Sequence, residues 1–498
     1  MRTIGHFVGG KTTADSDRWG DVFDPNTGRV QARVALADSP ALDAAVRIAK
    51  QAQPAWADLS AQRRARVMFD FKRLLEEEKD ALAKLLASEH GKVVSDAHGD
   101  IQRGLDVVEF VCGAPHLLKG DYSQGVAKGI DVYSMRQALG VVAGITPFNF
   151  PAMIPLWMLG PALICGNAFI LKPSERDPSV PVRLAELALK AGLPPGVFNV
   201  VQGDKTTVEA ILDHPDIKAV SFVGSSDIAH QVYARGAAAG KRMQCMGGAK
   251  NHGIVMPDAD LDQAVADIMG AAYGSAGERC MALPVVVPVG EKTADALRAK
   301  LVTAIAGLRV GISADTDAHF GPVVTAAHKA RVESYIQMGV DEGAELVVDG
   351  RGFSLQGYEE GFFLGPSLFD RVTAQMKTYR EEIFGPVLQI VRAETAIEAV
   401  DLASRHQYGN GVAIFTRNGD AAREFADRVE VGMVGINVPI PVPVSYHTFG
   451  GWKRSGFGDL NQYGMDGVRF FSRTKTVTAR WPQDGAAAYA NFNIPTTS

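Results

Sequence analysis

The chain has 498 residues, which exceeds the usual size of one domain and predicts at least two packed domains. The hydrophobic fraction of 46% and the charged fraction of 21% are close to globular averages. With 51 basic and 56 acidic residues the formal net charge is only −5, so neither a nucleic-acid surface nor an acidic tail is indicated. Composition therefore favours an ordinary globular protein with a large core.

Neither targeting nor membrane insertion is predicted. The first ten residues contain no apolar run preceded by basic residues and nothing like an Arg-rich transit peptide. The nearest approach to a membrane segment, residues 151–165, is shorter than the roughly 18 residues required and is interrupted by Pro155, Gly160 and Pro161. We therefore expect a cytoplasmic protein.

The cysteines Cys112, Cys165, Cys245 and Cys280 lie far apart, without Cys-x-x-Cys or a histidine at metal-ligand spacing. This pattern predicts neither a zinc site nor a disulfide framework. Each cysteine must therefore be judged alone, and the default for each is a small buried hydrophobe.

Apolar residues at helical spacing predict helices over 41–56 and 61–91, with the charged run 76–80 on a solvated side. From residue 139 short apolar runs alternate with amphipathic segments, and the alternation restarts after Asn251. Such alternation predicts βαβ units, and hence two α/β lobes with parallel sheets.

Two further predicted strands, 121–133 and 470–480, fit neither lobe. Projecting strands have unpaired edges, which proteins tend to cover. We therefore expect an oligomer contact at these strands.

No Gly-x-Gly-x-x-Gly follows a predicted strand, and residues 236–242 lack the spacing and the Ser or Thr of a phosphate-binding loop. Two predicted strands instead run into Lys172-Pro173-Ser174-Glu175 and Gly224-Ser225-Ser226. Ligands of open parallel sheets bind beyond the carboxyl ends of strands, where helix N-termini offer N–H groups to phosphate. Glu175 could accept hydrogen bonds from ribose and would repel a 2′-phosphate, favouring NAD, although each segment alone could be only a loop or an N-cap.

Cys280 follows Arg279 in a segment of small residues between a predicted helix and a predicted strand. An adjacent cation favours the thiolate, which is the nucleophilic form of cysteine. Asn149 ends another predicted strand at a double-proline bend, where its amide could stabilise an oxyanion or merely cap a turn.

Segments along nearly the whole chain, from residues 23–28 to 449–456, resemble motifs of the aldehyde dehydrogenase superfamily. They keep the family's order and approximate spacing. The motifs are Pro147-Phe148-Asn149-Phe150-Pro151, Lys172-Pro173-Ser174-Glu175, Phe222-Val223-Gly224-Ser225, Arg279-Cys280 and Glu381-Glu382-Ile383-Phe384-Gly385-Pro386-Val387.

The resemblance implies an aldehyde dehydrogenase-like α/β fold of two Rossmann-like parallel α/β domains plus a small β oligomerisation extension. Residues 1–117 and 138–248 are expected to form the NAD-binding domain, and residues 249–443 the catalytic domain. Residues 118–137 and 465–498 are expected to form oligomerisation strands and a tail, in a homotetramer.

By the same resemblance Cys280 is the nucleophile that forms a thioester, and Asn149 with the Cys280 N–H forms the oxyanion hole. The remaining roles concern NAD: Lys172 and Glu175 hold the adenine ribose, Ser225 the pyrophosphate, Glu382 and Phe384 the nicotinamide ribose, and Thr146 and Phe148 complete the cofactor site.

One segment departs from the pattern of hydrolytic relatives. Where these carry Glu-Leu-Gly-Gly-Lys, with the Glu activating water, this chain has Met246-Gly247-Gly248-Ala249-Lys250. Met246 cannot move a proton, so a stronger nucleophile than water is expected to cleave the thioester. With residues 249–253 and 278–282, this departure resembles the methylmalonate-semialdehyde dehydrogenases, which use coenzyme A as co-substrate.

Substrates of that subgroup carry a carboxylate, for which a bidentate arginine is the natural partner. Arg279 is one candidate, and Arg103 aligns with the family's other substrate arginine. The alternative for Arg103 is a surface ion pair with Asp100 or Asp106.

The resemblance thus predicts NAD-dependent oxidation of malonate or methylmalonate semialdehyde with coenzyme A, giving acetyl-CoA or propionyl-CoA. Two alternatives remain open. One is a hydrolytic dehydrogenase that uses Glu278 or Glu382 as its base and releases a free acid; the other is a non-catalytic protein that keeps the fold.

Overall fold

The alternation of strands and helices is present in the computed structural model, which describes residues 1–481. The strands in chain order are β1 Arg2–Ile4, β2 His6–Val8, β3 Lys11–Thr13, β4 Trp19–Asp24, β5 Arg29–Ala35, β6 Tyr122–Ala127, β7 Ile130–Ala138, β8 Val141–Ile145, β9 Ala168–Lys172, β10 Phe198–Val200, β11 Ile217–Val223, β12 Arg242–Met246, β13 His252–Val255, β14 Val285–Pro288, β15 Glu345–Val348, β16 Ser367–Asp370, β17 Val387–Ile390, β18 Tyr408–Gly409, β19 Gly411–Phe415, β20 Met433–Ile436, β21 Trp452–Lys453, β22 Gly456–Phe457 and β23 Ser472–Arg480.

The helices are α1 Ser39–Ala57, α2 Ala61–Glu77, α3 Lys79–His90, α4 Val94–Val111, α5 Ala114–Leu117, α6 Met153–Ile164, α7 Ser179–Lys190, α8 Lys205–Asp213, α9 Ser226–Ala238, α10 Leu261–Tyr273, α11 Glu291–Ala306, α12 Ala326–Asp341, α13 Lys377–Arg380, α14 Ala396–Arg405, α15 Gly419–Arg428 and α16 Gly464–Phe470. Within residues 1–481, no helix is both long enough and apolar enough to cross a bilayer.

The first large sheet has the strand order β22-β12-β11-β8-β9-β10-β2-β3. Strands β12 to β10 are parallel to their neighbours, and β22, β2 and β3 are antiparallel at the edges. Numbered along the chain, the five parallel strands are ordered 3-2-1-4-5, so the order reverses between β8 and β11. Ligands of doubly wound sheets bind beyond the carboxyl ends of the strands at such a reversal.

The register of this sheet aligns the predicted cofactor segments. Ile145 of β8 is paired with Lys172 of β9 on one side and with Phe222 of β11 on the other. The three strands therefore end at one edge, where Thr146 and Ser225 follow. Strands β8 and β9 are buried along their whole length, as expected for parallel strands covered by helices on both faces.

The second large sheet has the order β15-β16-β17-β14-β13-β19-β20 and is parallel except for β15. Residues 247–251 connect the carboxyl end of β12 directly to the amino end of β13. Cys280 lies in the connection from α10 to β14, on the same amino-end edge. The carboxyl edge of the first sheet therefore faces the amino edge of the second.

The strands predicted outside either lobe form a small antiparallel sheet of order β23-β7-β6. Residues 121–133 were predicted as one strand, which is wrong: they belong to β6 and β7, separated by a turn after Ala127. Phe470 ends α16 instead of starting a strand. The oligomerisation role and the domain boundaries stay predictions, and the tail beyond residue 481 lies outside the described residues.

The single helix predicted over 61–91 is also wrong, because the chain bends at Glu78 and forms α2 and α3. The bend allows leucines of both helices to pack into one core, among them Leu75 and Leu86. Glu78 itself pairs with Arg183 at 2.9 Å. The charged run therefore marks a turn at the surface.

Candidate active site

A cavity of about 630 Å³, a typical size for a ligand site, lies where the two sheet edges face each other. Six of the residues singled out from sequence line it: Phe148, Asn149, Ser225, Cys280, Glu382 and Phe384. These residues come from the ends of β8 and β11, the segment before β14 and the segment before β17. The tertiary structure thus brings the predicted nucleophile, amide and cofactor contacts to one place.

The loop that carries Cys280 has an unusual backbone. Ser275, Ala276 and Gly277 have φ values of 54°, 51° and 73°, in the left-handed region. A Cβ atom on Gly277 would lie 2.1 Å from the carbonyl oxygen of Gly385, so only glycine allows this close approach. The approach places the loop beside Phe384, which has a φ of 63°. Strain of this kind is found at functional sites where the surroundings enforce it.

Two amide side chains hold the backbone of Cys280. The Nδ2 atoms of Asn251 and Asn410 each donate to the Cys280 carbonyl at 3.1 Å. Asn251 is itself fixed, because it donates to the Ala282 carbonyl at 2.7 Å and accepts from Gly411 N at 3.0 Å. The carbonyl is thus fully engaged, while the sulfur lines the cavity.

Burial and the negative charge of Glu382 raise the pKa of the Cys280 thiol to about 11. The N–H groups of Cys280 and Met281 and the charge of Lys92 act in the opposite direction. The protonated thiol of Cys280 is therefore favoured at neutral pH.

Arg279 does not direct its charge at Cys280. Its guanidinium donates to Asp96 of α4 and packs over Gly274, where a Cβ would lie 2.6 Å from Nη1. The expectation that adjacency to Arg279 favours the thiolate is therefore not supported by the geometry. Side chains that are adjacent in sequence point in different directions, and the guanidinium of Arg279 is paired with the carboxylate of Asp96.

Asn149 lies in the loop between β8 and α6, and its side chain lines the cavity with Cys280. Its backbone carbonyl accepts a hydrogen bond of 2.7 Å from Nζ of Lys92, a residue that is fully buried. Sequence reasoning did not single out Lys92. Lys92 thus holds the backbone of the loop that carries the Asn149 amide.

Glu382 faces the cavity from the second lobe. Its Oε1 accepts from Ala249 N at 2.9 Å, and a Cβ on Gly248 would lie 2.6 Å from its Oε2. Burial raises the pKa of Glu382 to about 7, although the nearby Lys250 acts in the opposite direction. A carboxyl so placed can accept a hydrogen bond from a ribose hydroxyl or exchange a proton near neutral pH.

The first sheet offers a fitting cradle for NAD. Ser225 is the N-cap of α9, but its side chain makes no capping hydrogen bond. Its hydroxyl and the N–H groups at the helix N-terminus can therefore both donate to a phosphate. Thr146 is 4% exposed, and its Oγ1 is buried without a hydrogen-bond partner within residues 1–481. A buried orphan hydroxyl costs free energy unless a ligand or water satisfies it. Both observations suit a polar dinucleotide.

Lys172 and Glu175 lie at the end of β9, with Nζ and Oε2 separated by 3.3 Å. The Lys172 side chain is buried, whereas that of Glu175 is 42% exposed. They do not line the Cys280 cavity and lie further along the same sheet edge. A dinucleotide lying along this edge could contact both places.

Arg103 is partly buried on α4, and its Nη2 donates to the Val442 carbonyl at 2.9 Å. The surface ion pair considered from sequence is wrong: Asp100 is buried near Lys92, and Asp106 accepts from Gln102 at 2.9 Å. Arg103 therefore keeps its charge without a carboxylate partner among residues 1–481 and suits an anionic ligand.

Glu278, considered as an alternative base, is turned away from the cavity. Its Oε1 accepts from Val324 N at 3.2 Å and lies 3.5 Å from His328 Nε2. Burial raises the pKa of Glu278 to about 8. The Glu278 carboxyl thus stabilises the surrounding structure through these contacts. Of the two candidate bases, only Glu382 lines the cavity with Cys280.

Several residues of the site were missed from sequence. Lys92 and Asn410 lie in segments without a recognised motif, and Asn251 was quoted only within a subgroup match. Arg176, Arg331 and Arg454 also line the cavity. In the part of the chain that the structure describes, no group of three or more His, Cys, Asp or Glu side chains could hold a metal ion.

Comparison with known proteins agrees with this arrangement. The chain belongs to the aldehyde dehydrogenase family, whose model matches residues 12–477. The predictions of family and fold class are therefore confirmed.

Three relatives are especially similar. A malonate-semialdehyde dehydrogenase of Pseudomonas aeruginosa is 56% identical over 495 residues, covering 99% of this chain and 100% of that protein. An acylating, mitochondrial methylmalonate-semialdehyde dehydrogenase of Arabidopsis thaliana is 49% identical, covering 96% of this chain and 79% of that protein. A crystal structure from Sinorhizobium meliloti 1021, named as a candidate methylmalonate-semialdehyde dehydrogenase complexed with NAD, has a TM-score of 0.96 and 60% identity, covering 97% of this chain and 99% of that one.

Proposed function

We propose that this chain is an NAD-dependent, CoA-acylating dehydrogenase that converts malonate semialdehyde to acetyl-CoA and methylmalonate semialdehyde to propionyl-CoA, with loss of CO2. The observation that carries this proposal is Met246 at the end of β12, packed in the same apolar cluster as Cys280. A thioether stands where hydrolytic relatives carry the base that activates water, and Glu382 is engaged with NAD, so a thiol is the favoured nucleophile for the thioester. The names of the relatives support the substrate and the acceptor.

The reaction starts when the Cys280 thiolate adds to the aldehyde carbon and forms a hemithioacetal. The Asn149 amide and the Cys280 N–H donate to the oxyanion, as preorganised donors do in acyl transfer. Bound NAD supplies the hydride acceptor. When the carbon loses its hydride and the oxyanion collapses to a carbonyl, a malonyl-type thioester remains on Cys280.

Two further steps release the product. The carbon–carbon bond to the β-carboxylate breaks, CO2 leaves, and the electron pair is taken up by the thioester carbonyl before a proton is added at carbon. The coenzyme A thiolate then attacks the acyl carbon, and Cys280 departs as thiolate. The product is acetyl-CoA or propionyl-CoA, according to the substrate.

The remaining predicted site residues belong to the same proposal. Arg103 and Arg279 bind the substrate carboxylate. Thr146, Phe148, Ser225, Glu382 and Phe384 contact the nicotinamide and pyrophosphate parts of NAD. Lys172 and Glu175 bind the adenine ribose.

The proposed setting is a cytoplasmic homotetramer in which residues 118–137, together with β23, form contacts between subunits. The edge strands of the small sheet support this proposal, because unpaired edges favour association. The proposed domain division assigns one large sheet to NAD and the other to the nucleophile. Mass measurement in solution tests the assembly.

Product analysis tests the proposed function. The protein is incubated with NAD and each semialdehyde, with and without coenzyme A, and NADH and acyl products are measured. We expect steady turnover and acyl-CoA only when coenzyme A is present. Equal steady rates in both samples, with free acid as product, would establish the hydrolytic alternative instead. One methyl group changes specificity by only about 10- to 200-fold, so both semialdehydes are compared.

A further inference from the structure

Lys92 is a buried cation directly behind Asn149. Its side chain is 0% exposed, and its Nζ donates to the Asn149 carbonyl at 2.7 Å. Two carboxylates are also near, but Asp96 lies at 3.9 Å and Asp100 at 3.8 Å, beyond hydrogen-bonding distance. The short hydrogen bond of this ammonium is thus directed at the loop of the predicted oxyanion hole.

Further contacts hold the same loop. The Lys92 ammonium lies 4.4 Å from the ring centroid of Phe150, the residue after Asn149. Asp100, next to Lys92, accepts from Met153 N at 2.7 Å, where α6 begins. Lys92 therefore holds the middle of the loop, and Asp100 holds its junction with α6. An amide that must meet an oxyanion within a few tenths of an ångström needs such support.

The charges around Lys92 do not cancel completely. Asp96 is shared with Arg279, to whose guanidinium it is hydrogen-bonded. Burial raises the pKa of Asp100 to about 7, so this carboxyl is only partly ionised at neutral pH. The group of Lys92, Arg279, Asp96 and Asp100 is therefore net positive. A net charge in a region of low dielectric acts more strongly than it would in water.

We propose that Lys92 is a positioning residue of the oxyanion hole: its ammonium fixes the Asn149 backbone and provides the positive field that favours both the Cys280 thiolate and the oxyanion. The inference rests on the proposed roles of Cys280 and Asn149. It does not depend on which aldehyde is oxidised. Stabilisation of the Cys280 thiolate by a cation, which was expected of Arg279 because it is adjacent in sequence, is thereby assigned to Lys92.

Other charged groups must be considered in a test that depends on pH. Glu382 and the Tyr463 hydroxyl also face Cys280, and Glu382 opposes Lys92. Lys92 additionally acts on His90 and Glu278. None of these groups is altered in the variants below, so they contribute equally to each comparison.

The test measures alkylation of Cys280 by iodoacetamide against pH in the NAD-bound protein. Cys112, Cys165 and Cys245 are buried, and mass spectrometry of the Cys280 peptide makes the signal specific. Lys92→Met keeps chain length and removes the charge. We expect the apparent pKa of Cys280 to rise, because a cation that favours the thiolate is lost, and turnover to fall at least about tenfold. Lys84→Met, an exposed lysine of α3, is the matched control and should match the wild type.

A double variant that removes a positive and a negative charge together distinguishes an electrostatic effect on Cys280 from a loss of folding. Lys92→Met leaves Asp100 buried without a cation and can destabilise the protein. Lys92→Met with Asp100→Asn removes both charges, and we expect it to fold with the same rise in the apparent pKa of Cys280. If the double variant regains the wild-type pH profile and turnover, Lys92 only neutralises Asp100 and the proposal is overturned. A wild-type profile in Lys92→Met alone overturns it as well.

Because alkylation requires no substrate, the thiol titration is independent of the proposed function, and only the turnover measurement depends on it. Loss of acyl-CoA formation in the wild type would refute the proposed substrate and acceptor. It would leave the thiol titration unaffected.

Discussion

The guanidinium of Arg279 is paired with the carboxylate of Asp96 on α4, whereas Arg103, also on α4, donates within residues 1–481 only to the neutral Val442 carbonyl. The charge of Arg279, next to Cys280 in sequence, is therefore compensated by a carboxylate, whereas that of Arg103 has no carboxylate partner in the part of the chain that the structure describes. This contrast suggests different responses to replacement of the two arginines.

Arg103→Met should raise KM for malonate semialdehyde by about 10- to 100-fold, the effect of losing one charge-assisted hydrogen bond. Propanal has the same carbon chain without the carboxylate, and its kinetics should not change. Arg279→Met should impair both aldehydes, because Asp96 loses its guanidinium partner, and malonate semialdehyde more than propanal, because Arg279 is also a proposed ligand of the carboxylate. Equal losses with both aldehydes in Arg103→Met would contradict binding of the carboxylate by Arg103.

Asn149→Ala removes the side-chain donor of the oxyanion hole. Loss of one such donor typically lowers kcat by about 100- to 1,000-fold. We expect this loss in steady-state NADH formation, with NAD binding retained. Near-native turnover would show that Asn149 only supports the turn.

Met246→Glu should restore a carboxylate at the position where hydrolytic relatives carry the water-activating base. We expect NADH formation that no longer requires coenzyme A and yields free acid. Met246→Gln is the matched control, since glutamine is similar to glutamate in size and polarity but cannot accept a proton from water at neutral pH. If both variants behave alike, the thioether is not what prevents hydrolysis.

Glu382→Gln should make Cys280 easier to ionise. The Glu382 charge raises the thiol pKa, and a neutral amide removes that repulsion, so the apparent pKa of Cys280 should fall. The difference should appear above about pH 7, where Glu382 ionises. Alkylation rates in the protein without NAD measure it, and Glu381→Gln serves as the neighbouring control. An unchanged profile would mean that Glu382 is too distant to matter.

Glu278→Gln should change the pH dependence of stability. Burial raises the pKa of Glu278 from its ordinary 4.5 to about 8, so the folded state holds the proton more tightly than the unfolded state. The stabilisation is therefore complete below about pH 4.5 and is lost as pH rises through about 8. Its size is on the order of a few kcal/mol.

In thermal unfolding, Glu278→Gln should gain Tm relative to the wild type between pH 5 and pH 9, by roughly 2–4 °C. Glu424→Gln, an exposed glutamate of α15, should show no such trend. A constant difference between wild type and Glu278→Gln at all pH values would argue against a raised pKa.

Much of the fold could be read from local patterns. The continuous apolar strands β8 and β9 were recognisable because a parallel sheet buries both faces. The break in the helix at Glu78 was not recognisable, because helical periodicity continues through this residue. The bend depends on how α2 and α3 pack, which the local sequence does not show. The turn between β6 and β7 was missed for a similar reason, since both flanking segments favour strand.

The sequence by itself determined the kinds of groups present: a thiol at Cys280, which it predicts to be the nucleophile, an amide at Asn149, and Met246 where hydrolytic relatives have a base. It could do so because motif residues are local and keep their order along the chain. Only the tertiary structure decided which charges act on them. Electrostatic interactions depend on distance in space, so Arg279, adjacent in sequence, is directed at Asp96. Lys92, remote in sequence, lies 2.7 Å from the Asn149 carbonyl.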